Sequence, residues 1–425
     1  MDLVTACLAR IEAVDPAVKA WVQLDREAAL RAAAQRDDEA RARRLQGLLP
    51  GVPVALKDIF DAAGLSTTAG AGRFAHRQPI EDATSVARVR AAGGIVMGKV
   101  TTTAFAFLDP TPTRNPWNLE HTPGGSSSGP AAAVAARMVP LALGTQTVGS
   151  TLRPAAYCGV VGFKPTHGRI SATGVVPLAA STDHVGIFGR TVEDAALALA
   201  VMAGHDAADP HSIAAAPEDF VGAATVPVAP RLGVLRSLLE RATPETAGHV
   251  ETIVGAFRSA GALVEDVDLP PSYARIHQAG NTVVRAEAAA CHAPLFDRHA
   301  AEYPPRIREA ILDGRALSAV AYLAAQHARL TFGREMAPIA ARYDALLLPT
   351  AAGPAPRGLD STGDPYFCAP WSFTGMPAIA LPSGVDASGL PLSVQLVGSL
   401  SSEARLLGAA AWCERIIGFS GEPAL

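Results

Sequence analysis

The chain has 425 residues, 49% of them hydrophobic and 18% charged, with a net charge of −4. That apolar fraction can fill one large core, and the acidic balance lacks the basic footprint of a nucleic-acid binder. No stretch approaches the roughly 18 apolar residues of a membrane-spanning helix, so no membrane contact is expected.

In chain order, Leu3, Val4, Cys7, Leu8 and Ile11 recur with helical spacing over 3–13. Residues 25–46, rich in Ala, Arg and Glu, also read as helix. GVPVALKDI (51–59) is a short apolar run of strand type. A helix over 82–92 leads through Gly93 and Gly94 into a strand, IVMGKV (95–100). Helix 130–138, strand 139–145, strand 158–165 and helix 191–203 follow. Strands 231–235 and 262–269 flank a helix at 244–260. Residues 284–341 read as a mostly helical excursion from the sheet. Strands 343–350, 376–382 and 390–398 and helix 402–417 close the chain. Buried strands alternating with helices predict an α/β fold, a central sheet covered by helices on both faces, in a single domain over 1–425. The Pro/Gly-rich piece 351–365 reads as a long loop rather than a linker, because strands lie on both sides of it.

The cysteines, Cys7, Cys158, Cys291, Cys368 and Cys413, are odd in number and have no ligand spacing. They imply a reduced, cytoplasmic protein without disulfides. The N-terminus has acidic residues and no long apolar core, unlike a signal peptide. The eleven histidines include no HExxH pair, and no metal site is expected. Lysine occurs only at Lys19, Lys57, Lys99 and Lys164, which draws attention to each of them.

Three stretches carry chemistry. PGGSSSG (123–129) is a Gly/Ser block without the spacing of a phosphate loop. On its own it reads first as an ordinary loop. In LGTQTVGSTLRPAAYCG (143–159), Ser150 sits at a tight turn after a strand. The backbone of Thr147, Val148, Gly149 and Ser150 could aim successive N–H groups at one point, as an oxyanion requires. A serine hydroxyl needs a base. His121, His167 and His184 have no recognisable setting for that role, and no G-x-S-x-G surrounds Ser150. Lys57, at the end of an apolar strand, is the other base available. Burial would lower its pKa and leave it neutral. Taken alone, a lysine at a strand end is more often solvated or salt-bridged.

Together, GVPVALKD, TPGGSSSGPAAAVAA and GTQTVGSTLRPAAYCGVVGFKPTHGRIS resemble the amidase signature family. GRTVEDAALAL, YDALLLPT and MPAIALPSGVDASGLPLSVQLVG extend the likeness over nearly the whole chain. The resemblance implies a mixed β-sheet core wrapped by helices and a Ser–Ser–Lys triad. Position by position, Lys57 matches the base, Ser150 the nucleophile and Ser126, preceded by a cis peptide, the bridging serine. Ser127 and Ser128 then fall outside the triad. The implied reaction is cleavage of a C–N bond through an acyl-enzyme on Ser150, with no cofactor or metal.

Departures from the family pattern are expected to shape specificity. Gln146 stands where Asp is common, and Arg153 follows the nucleophile by three places instead of two. Both changes are similar to the malonamidase-like branch, in which this arginine meets a substrate carboxylate. The plainer reading ties Arg153 to a structural carboxylate or a backbone carbonyl. Val148 replaces the usual Gly or Ala, and the leading helical segment of many members is missing. Substrate classes consistent with this reading are small amides, aryl amides, carbamates (urethanes) and acid amides such as malonamate, with esters as side substrates. A homodimer is compatible with it. The alternative is a protein like the ammonia-releasing component of a tRNA-dependent amidotransferase, which serves a partner. The shorter chain and missing basic patch argue against it. Pocket walls are expected from 60–80, 107–122, 271–330 and 351–375.

Overall fold

The computed structural model describes residues 1–425, apart from the side chain of Arg73. Its strands are β1 (Trp21–Leu24), β2 (Pro53–Lys57), β3 (Ile95–Val100), β4 (Leu141–Gln146), β5 (Val161–Lys164), β6 (His184–Gly189), β7 (Arg231–Val234), β8 (Leu263–Asp266), β9 (Ala345–Pro349), β10 (Ala378–Val385) and β11 (Pro391–Val397). They form one 11-stranded sheet in the order β1-β3-β2-β4-β6-β5-β10-β11-β9-β7-β8. Pairing is parallel around β2 and β7 and antiparallel elsewhere, so the sheet is mixed.

The strands read as continuous apolar runs because both faces are covered. Alternate residues of one strand enter opposite cores. Val54 and Leu56 of β2 pack into one apolar layer and Ala55 into the other. Leu347 of β9 points one way, and Leu346 and Leu348 the other. Helices Val192–Met202 and Glu403–Ile417 cover the first face. Helices Asp2–Val18, Ser128–Ala135 and Leu152–Cys158 cover the second. No helix is long and apolar enough to cross a membrane among the described residues.

Several boundaries differ from the sequence expectations. Residue 158 ends a helix, Leu152–Cys158, and is not the start of a strand. Gly159, at φ +66°, closes that helix, and β5 begins only at Val161. The helix expected over 25–46 ends at Arg41. The helical excursion starts earlier than 284 and consists of Tyr273–His299, Pro305–Ala316 and Ala319–Ala340.

The excursion is locked to the sheet domain through helix Ala369–Phe373. Gly280, inside Tyr273–His299, accepts the ring of Phe373 so closely that a Cβ there would stand 2.1 Å from it. Gly280→Ala therefore sets two effects against each other. Helix propensity favours Ala by about 1 kcal/mol, and overpacking costs about 1–3 kcal/mol. We expect net destabilisation in urea unfolding. An unchanged or raised midpoint would contradict this packing.

Candidate active site

Lys57 ends β2, and the next strand on one side is β4, which runs parallel to it. The carboxyl ends of β2 and β4 therefore face the same edge, where ligands bind in sheets of this kind. Lys57 is fully buried. Its Nζ lies 2.7 Å from Ser126 Oγ and 2.8 Å from Thr145 Oγ1. Both partners are neutral hydroxyls. Burial holds the amine well below the usual lysine range, and the Asp183 carboxylate pulls it partly back up. The site thus contains an amine whose burial favours its neutral form.

Ser126 is fully buried, and the Gly125–Ser126 peptide bond is cis. The turn before it relies on Gly124 at φ +82°, where a Cβ would also meet Pro154 at 2.8 Å. The neighbouring serines have other work. Ser127 Oγ donates to the Thr145 carbonyl (3.1 Å) and accepts from the Thr145 N–H (3.3 Å). Ser128 Oγ donates to the Gly124 carbonyl at 2.7 Å. One serine of the run faces the lysine, and the other two build the turn and tie it to β4.

β4 runs straight into the turn that carries Ser150. Gln146, its last residue, accepts the N–H groups of Thr151 (2.8 Å) and Leu152 (3.0 Å) on its Oε1. Its Nε2 donates to Ser372 Oγ at 2.9 Å, and that hydroxyl donates to the Val148 carbonyl at 2.8 Å. The turn is therefore held from both ends by one neutral side chain. Thr147 Oγ1 donates to Asp183 at 2.5 Å, and Asp183 also accepts from the N–H groups of Leu178 and Ala179. Burial pushes Asp183 up to about 6 despite these bonds.

Thr147, Val148, Gly149, Ser150 and Arg153 line one cleft of about 850 Å3. Arg153 is 2% exposed. Its Nη2 donates to the Gly125 carbonyl (2.6 Å) and to Thr362 Oγ1 (3.1 Å), while Nε and Nη1 have no partner. Arg241, Arg285 and Arg306 line the same cleft, against one carboxylate, Asp364. One wall is aromatic. The rings of His277 and Tyr366 stack at 4.3 Å, and Arg241 lies 5.4 Å from the Tyr366 centroid.

Of the expected wall segments, 107–122, 271–330 and 351–375 contribute to the cleft, and 60–80 does not. Thr67 and Thr68 in that segment instead bond Lys99 and Asp58. The three histidines weighed as bases are committed elsewhere. His121 bonds the Ala355 carbonyl, His167 that of Ala180, and His184 those of Thr182 and Gln146. Thr145, Asp183 and Ser372 are not distinguished by any sequence pattern. Thr145 is the most accessible of these to sequence reasoning, since it lies beside Gln146 in the 143–159 stretch. Among the described residues no cluster could hold a metal ion.

A family model described as Amidase matches residues 2–407. A curated relative, a subunit of the glutamyl-tRNA(Gln) amidotransferase of Geobacter metallireducens, is 36% identical over 96% of this chain and 92% of its own length. The peptide amidase of Stenotrophomonas maltophilia superposes with a TM-score of 0.86 at 31% identity, over 99% of this chain and 94% of that one. A 6-aminohexanoate cyclic dimer hydrolase superposes at 0.88 with 26% identity, over 99% and 95%.

The electrostatic contact between Asp183 and Lys57 generates a signed expectation. A base with a lowered pKa loses activity only as pH falls through that pKa. Asp183→Asn removes the charge that raises it, so the acid limb of kcat/KM should move to lower pH. A limb that stays put, or moves up, would remove Asp183 from the control of Lys57.

Proposed function

The chain belongs to the amidase family, and from that premise we propose that it hydrolyses small amides through an acyl-enzyme on Ser150. The contact of the buried Lys57, which no carboxylate bonds, with Ser126 at 2.7 Å carries this reading. Neutral Lys57 takes the Ser126 proton as Ser126 takes that of Ser150. Ser150 Oγ attacks the carbonyl carbon, and the N–H groups along Thr147 to Ser150 receive the oxyanion. The proton returns through Ser126 to the leaving nitrogen as the C–N bond breaks. Water then cleaves the ester by the same relay. Aryl amides, carbamates and esters fit the same chemistry. The free cysteines fit a reducing, cytoplasmic setting.

A second reading is favoured by one observation: the curated relatives are named as amidotransferase subunits. Chain length does not argue against it, since this chain spans 92% of the Geobacter relative. Under that reading the same relay would release ammonia for partner subunits, and a homodimer has no particular support. Release of ammonia or amine by the purified chain alone supports the hydrolase. Activity that appears only with a partner supports the amidotransferase.

Ser150→Ala should abolish turnover, and Ser126→Ala and Lys57→Ala should each lose several orders of magnitude. Groups that act as a unit give non-additive losses. The Ser126/Lys57 double variant should therefore be scarcely worse than the worse single one. Near wild-type kcat in Lys57→Ala would exclude the lysine base.

Arg153 is proposed to grip a substrate carboxylate through Nε and Nη1, with Nη2 remaining on Gly125. The four arginines around the cleft support this. Arg153→Ala should then raise KM for acid amides by roughly tenfold to a hundredfold, the value of a charge-assisted contact, and spare neutral amides. Equal losses on both, with a lowered melting temperature, would leave Arg153 only its tie to Gly125.

A further inference from the structure

Ala106, Thr147 and Leu178 belong to the walls of two cavities. One is the cleft over Ser150. The other, of about 300 Å3, has an exposed rim at Ala208, Pro210 and His211. It reaches inward to Thr145, Thr147, Asp183 and His184. It therefore approaches the lysine side of the triad by its own entrance. Its walls are mostly aliphatic, with Ile59, Ile170, Val175, Val176 and Val185 among them.

Acceptors interrupt that lining at His184, Asp183 and Asp209, the last already accepting the Ala172 and His211 N–H groups. His184 Nδ1 lies 2.6 Å from the Thr182 carbonyl and 3.1 Å from that of Gln146. Facing two carbonyls, Nδ1 carries the proton, and Nε2 keeps its lone pair. That Nε2 is buried and has no partner, in a side chain only 3% exposed. An acceptor left unpaired in such a place is costly and uncommon. Asp183 is the second acceptor, and its bonds all come from neutral groups, Thr147, Leu178 and Ala179. The lining thus combines an apolar wall with carboxylates that have no cation bonded to them, while the unpartnered His184 Nε2 is closed off from solvent.

We propose that this rear cavity is a binding site for a primary amine with a compact apolar body. The nitrogen donates to Asp183, and the body lies against the aliphatic wall. The volume is at the small end of ligand pockets, about 300–1,000 Å3, and suits a benzyl-sized group. An amine is also a product of amide cleavage. Thr145, at the inner end, is 2.8 Å from Lys57 Nζ, so an occupied site would touch the base's own partner. That consequence rests on the role of Lys57 proposed above, whereas the binding itself does not.

Calorimetric titration of the full chain with benzylamine should show one saturable site, and benzoate, of similar size and opposite charge, should not bind there. Val176→Phe fills the cavity and should weaken benzylamine by at least about tenfold, or 1.4 kcal/mol, with the melting temperature retained. Ala172→Leu serves the same purpose if that variant fails to fold. Ser150→Ala should bind benzylamine as the wild type does, which separates this site from the catalytic reading. No saturable binding of benzylamine, an affinity indifferent to the filled cavity, or a benzoate affinity weakened by Val176→Phe as much as that of benzylamine would overturn the proposal.

Discussion

An amine kept out of water without a carboxylate to hold its proton is the constraint on which the site depends. Desolvation penalises the charged form, and a salt bridge would restore it. Lys57 is given two hydroxyls instead, Ser126 and Thr145. Each can donate or accept, so either protonation state of the amine can be bonded. The fold supplies those hydroxyls from separate places. Thr145 comes with β4, beside β2 in the sheet, and Ser126 comes on a turn that Ser127 fastens to β4. Thr145 is placed by strand pairing, and Ser126 by the Ser127 hydroxyl together with a bond from the Thr103 N–H to its own carbonyl, so neither depends on a long flexible side chain.

The other buried lysines show that burial alone does not give an amine the surroundings Lys57 has. Lys99 is as deeply buried as Lys57, but it meets Asp58 at 3.4 Å, the Phe60 carbonyl at 2.6 Å and Thr67 at 3.1 Å. Burial lowers it too, but the Asp58 carboxylate opposes that desolvation with charge and a hydrogen bond, which favour an ammonium. Lys164 reaches the carbonyls of Pro165 and Met376, and burial brings it down to about 7. Carbonyls only accept, so its neighbours can bond the amine's hydrogens but never give it a proton. Of the three, Lys57 alone is bonded only to groups that can themselves lose one.

This contrast also marks how much the sequence could say. The alternation of apolar strands and helices was legible because both faces of the sheet are buried, and the triad candidates lay in stretches of unusual composition. The short strands were not. β1 is four residues at a sheet edge, and β6, HVGIFG, contains two glycines and ends close to a helix cap. Both exist through pairing with distant strands, which no local pattern reports. The partners of Gln146 and Asp183 were hidden for the same reason. Ser372 is 226 residues from Gln146, and Asp183 is 36 from Thr147. Burial of Arg153 was likewise invisible, since an arginine next to a proline at the start of a helix gives no sign that its guanidinium ends on the Gly125 carbonyl.

Gln146 shows how a departure from a family pattern can preserve geometry and change charge. A carboxylate at this place could accept the N–H groups of Thr151 and Leu152 as Oε1 does here. It could not donate, and the bond from Nε2 to Ser372 would be lost. Since Ser372 goes on to hold the Val148 carbonyl, the amide secures both flanks of the turn around Ser150. The cost falls on charge. With a neutral residue here, the nearest cation in sequence, Arg153, has no carboxylate supplied by its own turn. It is left with a carbonyl, a hydroxyl and two nitrogens without partners. A buried guanidinium in that condition retains a field directed at whatever lies against it. The substitution that stiffens the turn thereby leaves a positive potential beside Ser150, in a cleft whose other arginines have the same sign.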